Sequence, residues 1–209
     1  MVGVRREALR VRLDVNDAES GVLLRAAGAR RYAYNWAAAK VKANTDQWAA
    51  EATYGIARGD RTRPMTYFAL AKAWTAERPL LAPWAGEHST WAFLYGIRAA
   101  AQAHHGFMAG TRRFPRFKSR HRDRPRFTVR DGLRLEAGRV RLAKYGWFAL
   151  TAPCPAQARL RRLVRRGHAR LLNVTAARHS DGCWYATVCF ERPSSTHHRQ
   201  ARPLGWTVG

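Results

Sequence analysis

The chain has 209 residues, with 38 Lys and Arg against 14 Asp and Glu, and a formal charge of +24. A hydrophobic share of 46% with 11% aromatics is enough for a core, so wholesale disorder is excluded, and the length suits one large domain or two small ones. No apolar run nears the roughly 20 residues that span a bilayer, Met1 to Arg10 has no apolar stretch behind its arginines, and Cys154, Cys183 and Cys189 are too few for a disulfide scaffold. A cytoplasmic, reducing address is expected.

Leu9, Val11, Leu13 and Val15 alternate with Arg10, Arg12 and Asp14, the period of a half-buried strand. Asn16 followed by Glu19 forms a capping-box analogue at the start of a helix expected to run to about Lys42, with Tyr34, Ala38 and Val41 on one face. Arg58 to Pro64 separates it from a second helix, about Thr66 to Glu77, closed by Pro79 and Pro83. Ser89 is placed to cap a third, in which Leu94, Ile97, Ala101, His104 and Met108 recur at helical spacing. After Gly110 helical spacing gives way to short alternating runs. Leu133–Leu135 and Arg139–Leu142 flank Glu136-Ala-Gly138, and Leu172–Ala176 and Trp184–Phe190 flank Ser180-Asp-Gly182, which predicts two hairpins. The expected fold is α+β: an antiparallel β-barrel interrupted by an inserted helical bundle, with the first strand pairing with later ones. The polar, basic segment from Ser194 to Pro203 reads as a linker.

The positive charge is clustered. Arg112 to Arg126 holds eight Lys and Arg with one acid, Asp123, and Arg159 to Arg170 holds six arginines and no acid. A polyanion is the natural partner of such a surplus, with nucleic acid ahead of an anionic membrane surface. The bland alternative is a solubilising surface in a high-GC genome, which would raise Arg without lowering the acids. Phe114-Pro-Arg-Phe-Lys-Ser-Arg120 interleaves rings with cations, a composition suited to stacking on unpaired bases with phosphate contact. There Phe114 and Phe117 are expected as anchors and Arg116, Lys118 and Arg120 on phosphate, together with the neighbouring Arg112 and Arg113. On the first helix Arg30, Arg31, Tyr34 and Asn35 admit two readings: arginines on backbone phosphate, or solvated arginines beside a packed Tyr34 and Asn35. Cys183 and Cys189, six apart on one expected strand, read as half-buried small residues. His104-His105 and His197-His198 lack metal-ligand spacing. No metal and no cofactor are expected.

Several segments taken together resemble a known family. These are Ala29-Arg-Arg-Tyr-Ala-Tyr-Asn-Trp36, Trp84, Phe114-Pro-Arg-Phe-Lys118, Gly138-Arg-Val-Arg-Leu142, Lys144-Tyr-Gly-Trp147, Leu172-Asn-Val-Thr175 and Asp181-Gly-Cys-Trp-Tyr185. In order and spacing they are similar to the TnpB (OrfB) proteins of bacterial insertion sequences, relatives of the type V CRISPR effectors, from about Leu9 onward. The resemblance implies a wedge-type barrel (residues 1–15 as its first strand and 111–193 as the remainder) and a helical recognition domain at 16–110. In that domain it favours a recognition helix over a helix-turn-helix that reads the major groove. It implies a guide-type RNA and double-stranded DNA as partners, with Lys144 among the nucleic-acid contacts. Readers of a short DNA motif would fall by position on Tyr67, on Thr90 and Leu94, and on Thr128. Residues 194–209 would be a linker and the stub of the first strand of a RuvC-like nuclease.

In that stub Thr207 stands where the family has its first metal-binding aspartate, and the last acid is Glu191. A two-metal nuclease needs several carboxylates, so the nuclease domain is expected to be absent and the chain to bind without cutting. The alternatives are one half of a split RNA-guided endonuclease with a separately encoded nuclease half as partner, a guide-dependent repressor, and a decayed transposase remnant.

Overall fold

The computed structural model describes residues 3–151 and 155–193. Cys154, the His197-His198 pair, the linker and Thr207 lie outside the described residues. The chain runs β1 (Val4–Asp14), α1 (Asp17–Thr53), α2 (Tyr67–Leu81), a 3-10 turn (Pro83–Glu87), α3 (Thr90–Met108), β2 (Arg126–Val129), β3 (Arg134–Glu136), β4 (Arg139–Leu142), β5 (Gly146–Leu150), α4 (Pro155–Arg165), β6 (Arg170–Arg178) and β7 (Trp184–Pro193).

The strands form one antiparallel sheet of order β2-β6-β7-β1-β5-β4-β3. β1 is its hinge: it pairs with β7 from Val4–Pro193 to Arg12–Tyr185, and then its last two residues, Leu13 and Asp14, pair with Leu150 and Ala149 of β5. Both expected hairpins form, β3–β4 and β6–β7. The expected closed barrel does not. The outermost strands β2 and β3 have only four and three residues, and β2 lies against α1 and α3 instead of against β3.

The 37-residue α1 is the spine of the molecule. Its capping box forms as the sequence predicts: Asn16 Oδ1 accepts from the Glu19 N–H at 2.9 Å, and Glu19 Oε2 accepts from the Asn16 N–H at 3.0 Å. Its first half sends Leu23, Ala26 and Ala27 into the core beneath the sheet, with Val11, Leu13, Phe127, Phe148, Val174, Trp184 and Val188. Trp184 Nε1 donates to Ser20 Oγ at 3.1 Å, tying β7 to that half. The second half packs Ala33, Tyr34, Ala37, Ala38 and Val41 against Leu70 and Trp74 of α2 and Phe93, Ile97 and Ala100 of α3. Alanine along this face lets the helices approach closely, and Gly96 on α3 marks the tightest point, against Arg30, Ala33 and Tyr34.

Five local readings are corrected. α1 continues past Lys42 to Thr53 because its polar side chains bond along the helix: Lys42 pairs with Asp46 at 2.6 Å, Gln47 Nε2 donates to Glu51 Oε1 at 3.0 Å, and Thr45 Oγ1 donates to the Val41 carbonyl at 2.8 Å. α2 runs through Pro79 to Leu81; a proline so near the end removes a single bond of the last turn. α3 buries Phe93, Gly96, Ile97, Ala100 and His104, a face turned from the expected one, and leaves Met108 exposed. Ser89 precedes α3 without a side-chain cap bond. Finally, Cys183 lies just before β7 rather than on it, while Cys189 is half-buried within it.

The sheet and the helical bundle are joined at the turn Leu142–Gly146. Lys144 and Gly146 both have left-handed backbone there, with φ of 70° and 97°, so Gly146 is the residue type that this turn requires. The turn thrusts Tyr145 inward between Phe127 (5.1 Å between ring centroids) and His88 (5.9 Å). Its hydroxyl accepts from the Ser89 N–H at 3.2 Å, at the mouth of α3. Burial pushes the Tyr145 phenol up to about 12.

Candidate nucleic-acid interface

The loop from α3 to β2 carries the densest charge of the chain and is held at defined points. Phe114 packs edge-to-face on Phe107, 5.0 Å between centroids, and lies 6.2 Å from His104. Pro115 is buried beside it. Asn35 then clamps the loop onto α1: its Nδ2 donates to the Lys118 carbonyl at 2.9 Å and its Oδ1 accepts from the Lys118 N–H at 2.8 Å. Beyond the clamp Asp123 Oδ2 accepts from the Ser119 N–H at 2.8 Å, and Ser119 Oγ accepts from the Arg122 N–H at 3.1 Å, which closes a turn.

A loop fixed in this way turns most of its other side chains to solvent. Arg112, Arg113, Arg116 and Arg120 are exposed, as are Arg122 and Arg124. Phe117 is 49% exposed, so of the two expected anchors only Phe114 is one, and Phe117 offers a ring to solvent amid cations. Lys118 reaches back, with its Nζ 4.6 Å from the centre of the Tyr34 ring.

On α1 the two readings of the helix residues divide by residue. Tyr34 is buried, and Asn35 is committed to the clamp. Arg31 is half-buried at a cavity of about 470 Å³ between α1 and the 3-10 turn, lined also by Arg25, Tyr32, Trp84 and His88. Arg30 is half-buried, and its Nε has no hydrogen-bond partner among the described residues. Burial and then the charge of Arg126 lower its pKa to about 10. Lys118 is shifted down as well, by burial first and then by Arg30, with Arg126 and Arg116 adding to the effect and Asp123 opposing it. The half-buried Arg30 and Lys118 thus feel each other's charge and that of the exposed Arg126, Lys118 also that of the exposed Arg116, with Asp123 as the opposing carboxylate. The sequence marks Arg126 only as the end of the basic run; its signal as a contact would be its position at the start of β2, which packs on the first helix.

A second cluster joins α2, α3 and β2. Tyr67, Trp91, Leu94, Tyr95, Arg98 and Arg130 line a groove of about 130 Å³. The Arg98 guanidinium lies 5.1 Å from the Tyr67 ring centre and that of Arg130 5.1 Å from Trp91, and Trp91 Nε1 donates to Asp131. Tyr67 and Leu94, named as motif readers, thus meet in one groove, and Thr90 is exposed at the first position of α3. Thr128 does not join them. It is 6% exposed in β2, and its hydroxyl is bonded to that of Thr175 at 2.9 Å. Lys144 is exposed, with Nζ 3.4 Å from the Gly86 carbonyl. The arginine run from Arg159 resolves into α4, which turns Leu160 inward with Leu163 and Val164 and exposes Arg159, Arg161, Arg162 and Arg165.

His104 is buried, with Nε2 3.2 Å from Thr45 Oγ1, and burial lowers its pKa. No group of three His, Cys, Asp or Glu stands together to hold a metal ion among the described residues. No helix among them is long and apolar enough to cross a membrane.

No family model matches the sequence. The chain is similar to curated proteins from two strains of Mycobacterium tuberculosis, each named "Putative RNA-guided DNA endonuclease". The identity is 28% over 188 residues, covering 82% of this chain and 39% of each relative. The chain thus spans about two fifths of the length of the relatives that it matches.

Proposed function

We propose that this chain is a nucleic-acid-binding module of the TnpB type, which holds a guide-type RNA and engages double-stranded DNA without cutting it. The observation that carries this reading is the clamped loop. Asn35 and Phe114 fix its backbone, while six arginines and Phe117 are left facing solvent. Immobilised cations around an exposed ring suit a single-stranded or looped RNA, whose phosphates they neutralise and whose unpaired bases stack. The names of the similar mycobacterial proteins point to the same partners. The groove of Tyr67, Trp91, Leu94 and Arg98 is the element we assign to duplex DNA.

The first test is sequencing of the RNA that copurifies with the full chain after washing at moderate salt. A single enriched RNA from the flank of its own gene is expected. Its affinity should fall steeply with salt, with log K changing by about −0.7 per log unit of salt for each phosphate neutralised. A random RNA smear that washes off, or a flat salt dependence, would overturn the reading. The claim that the chain does not cut rests on Thr207 and has its own test: guide, target duplex and Mg²⁺ are supplied together, and a cleaved product would refute it.

A further inference from the structure

A buried guanidinium nitrogen without an acceptor is rare in folded proteins, because it forfeits its hydration without recovering a bond. Among the described residues Arg30 Nε is such an atom. Its residue sits where Gly96 of α3 presses on the α1 backbone, so the side chain starts from a fixed point. Among the described residues no ion pair reaches Arg30. The charges that bear on it and its neighbour Lys118 are Arg126 and Arg116, with Asp123 as the opposing carboxylate, and Asp123 already accepts from the Ser119 N–H. Arg30 and Lys118 are thus half-buried with like charge around them, Arg116 and Arg126 lie exposed beside them, and the single opposing carboxylate is already engaged, which works against folding. A ligand that brings negative charge and several acceptor oxygens would reverse that cost.

We propose that Arg30, Arg116, Lys118 and Arg126 form the seat of one backbone phosphate of the bound nucleic acid, whose oxygens provide the acceptor that Arg30 Nε lacks. The proposal rests on the nucleic-acid reading above and makes it specific to one subsite. Lys118 and Arg116 share their loop with the exposed Arg112, Arg113, Phe117 and Arg120. Nucleotides on either side of the seated phosphate therefore find further cations and a ring, which favours a phosphate within a strand over a free anion. Arginine suits the inner position, since its fork gives two parallel charge-assisted bonds to phosphate.

The test compares the full chain with Arg30→Met, Arg30→Lys and Asp123→Asn. Each protein is melted in chloride and in inorganic phosphate at matched ionic strength, and its affinity for the copurifying RNA is measured across salt. In chloride, Arg30→Met should melt about 3 °C above the unchanged chain, because an uncompensated charge has gone. Its RNA affinity should drop about tenfold, and its salt slope should become shallower by about 0.7. Arg30→Lys should recover the slope but only part of the affinity. Asp123→Asn, which keeps an acceptor for Ser119, should bind RNA about threefold tighter. A lower melting point for Arg30→Met with unchanged RNA binding would make Arg30 a packing residue and end the proposal while the RNA-binding function stands. If the unchanged chain binds no RNA but phosphate raises its melting point through Arg30, the site takes a free anion and the nucleic-acid source is refuted. If it shows neither RNA binding nor a phosphate effect, both readings fall.

Discussion

The crossing of α1 and α3 makes Gly96→Ala the most informative single substitution. A Cβ at Gly96 would lie less than 3.0 Å from the Arg30 carbonyl oxygen, 3.1 Å from the Tyr34 nitrogen and 3.3 Å from Ala33 Cβ. Two of these three neighbours are backbone atoms of another helix, which cannot rotate away, so the helices themselves must part. Overpacking of this kind costs about 1–3 kcal/mol, and backbone on both sides puts it at the upper end. The gain of alanine over glycine in a helix interior offsets about 1 kcal/mol. The net loss is about 2 kcal/mol, or roughly 4–8 °C in melting temperature for a chain of this size. Urea unfolding followed by tryptophan fluorescence reads it directly, because Trp74 is buried in the same core. Gly28→Ala is the matched control. Its added Cβ would meet only the end of the Arg31 side chain, at 4.0 Å, so it should be stabilised by about 0.5–1 kcal/mol. If Gly96→Ala proves as stable as Gly28→Ala, α3 does not press on α1 at this point and the fixed origin argued for Arg30 is lost.

Three further outcomes are expected. Tyr145→Phe deprives the Ser89 N–H of its acceptor and should cost about 1–2 kcal/mol in denaturant unfolding; an unchanged midpoint would show that the joint between sheet and bundle does not need it. Asn35→Ala opens both bonds of the clamp, so trypsin should cut within Arg112–Arg126 much faster while the helical far-UV signal is kept; equal cutting rates would mean that the loop is held elsewhere. Burial depresses the pKa of His104 below its ordinary value of 6.5, and of His88 likewise. As pH falls below about 6.5 the unfolded chain takes up protons that the folded one refuses, so stability present above that pH is lost down to the depressed folded values. His104→Gln should flatten this fall, and an unchanged slope would remove His104 as its cause.

How much the sequence disclosed depended on whether an element's signal was local. The Asn16–Glu19 cap and the hairpins around Gly138 and Gly182 are set by residues three or four apart, and they stand as read. α1 outruns its expected end because Asn44, Thr45 and Asp46 look like a terminus in sequence, and only the pairing of Lys42 with Asp46 and of Gln47 with Glu51 shows that they continue a helix. In α4 the helical spacing of Leu160, Leu163 and Val164 is hidden among arginines, so that the segment shows in sequence as charge alone. The closure of the sheet could not be read, since it depends on what lies beside β2 in space. The same limit applies to the site. The cations around Phe114 and Phe117 were legible as composition, but the unpartnered state of Arg30, the Asn35 clamp and the burial of Thr128 arise from contacts between residues 47 to 83 positions apart or more.

The place of β1 in the sheet has a consequence for how the chain is made. β1 is synthesised well before its main partner, β7, and the ion pair between Glu7 and Arg192 closes across 185 positions. At about 5–20 residues per second, β1 leaves the ribosome roughly 10–40 s before its partner exists. α1, α2 and α3 need only one another for their shared core and are complete by Met108. Folding should therefore proceed from the middle outward, with the bundle formed first and the sheet assembled last, in a slow step governed by the closure of a long loop. During that interval an alternating apolar strand is exposed without a neighbour. The arginines at positions 5, 6, 10 and 12 keep it charged throughout, which is the protection such a strand requires against pairing with another copy.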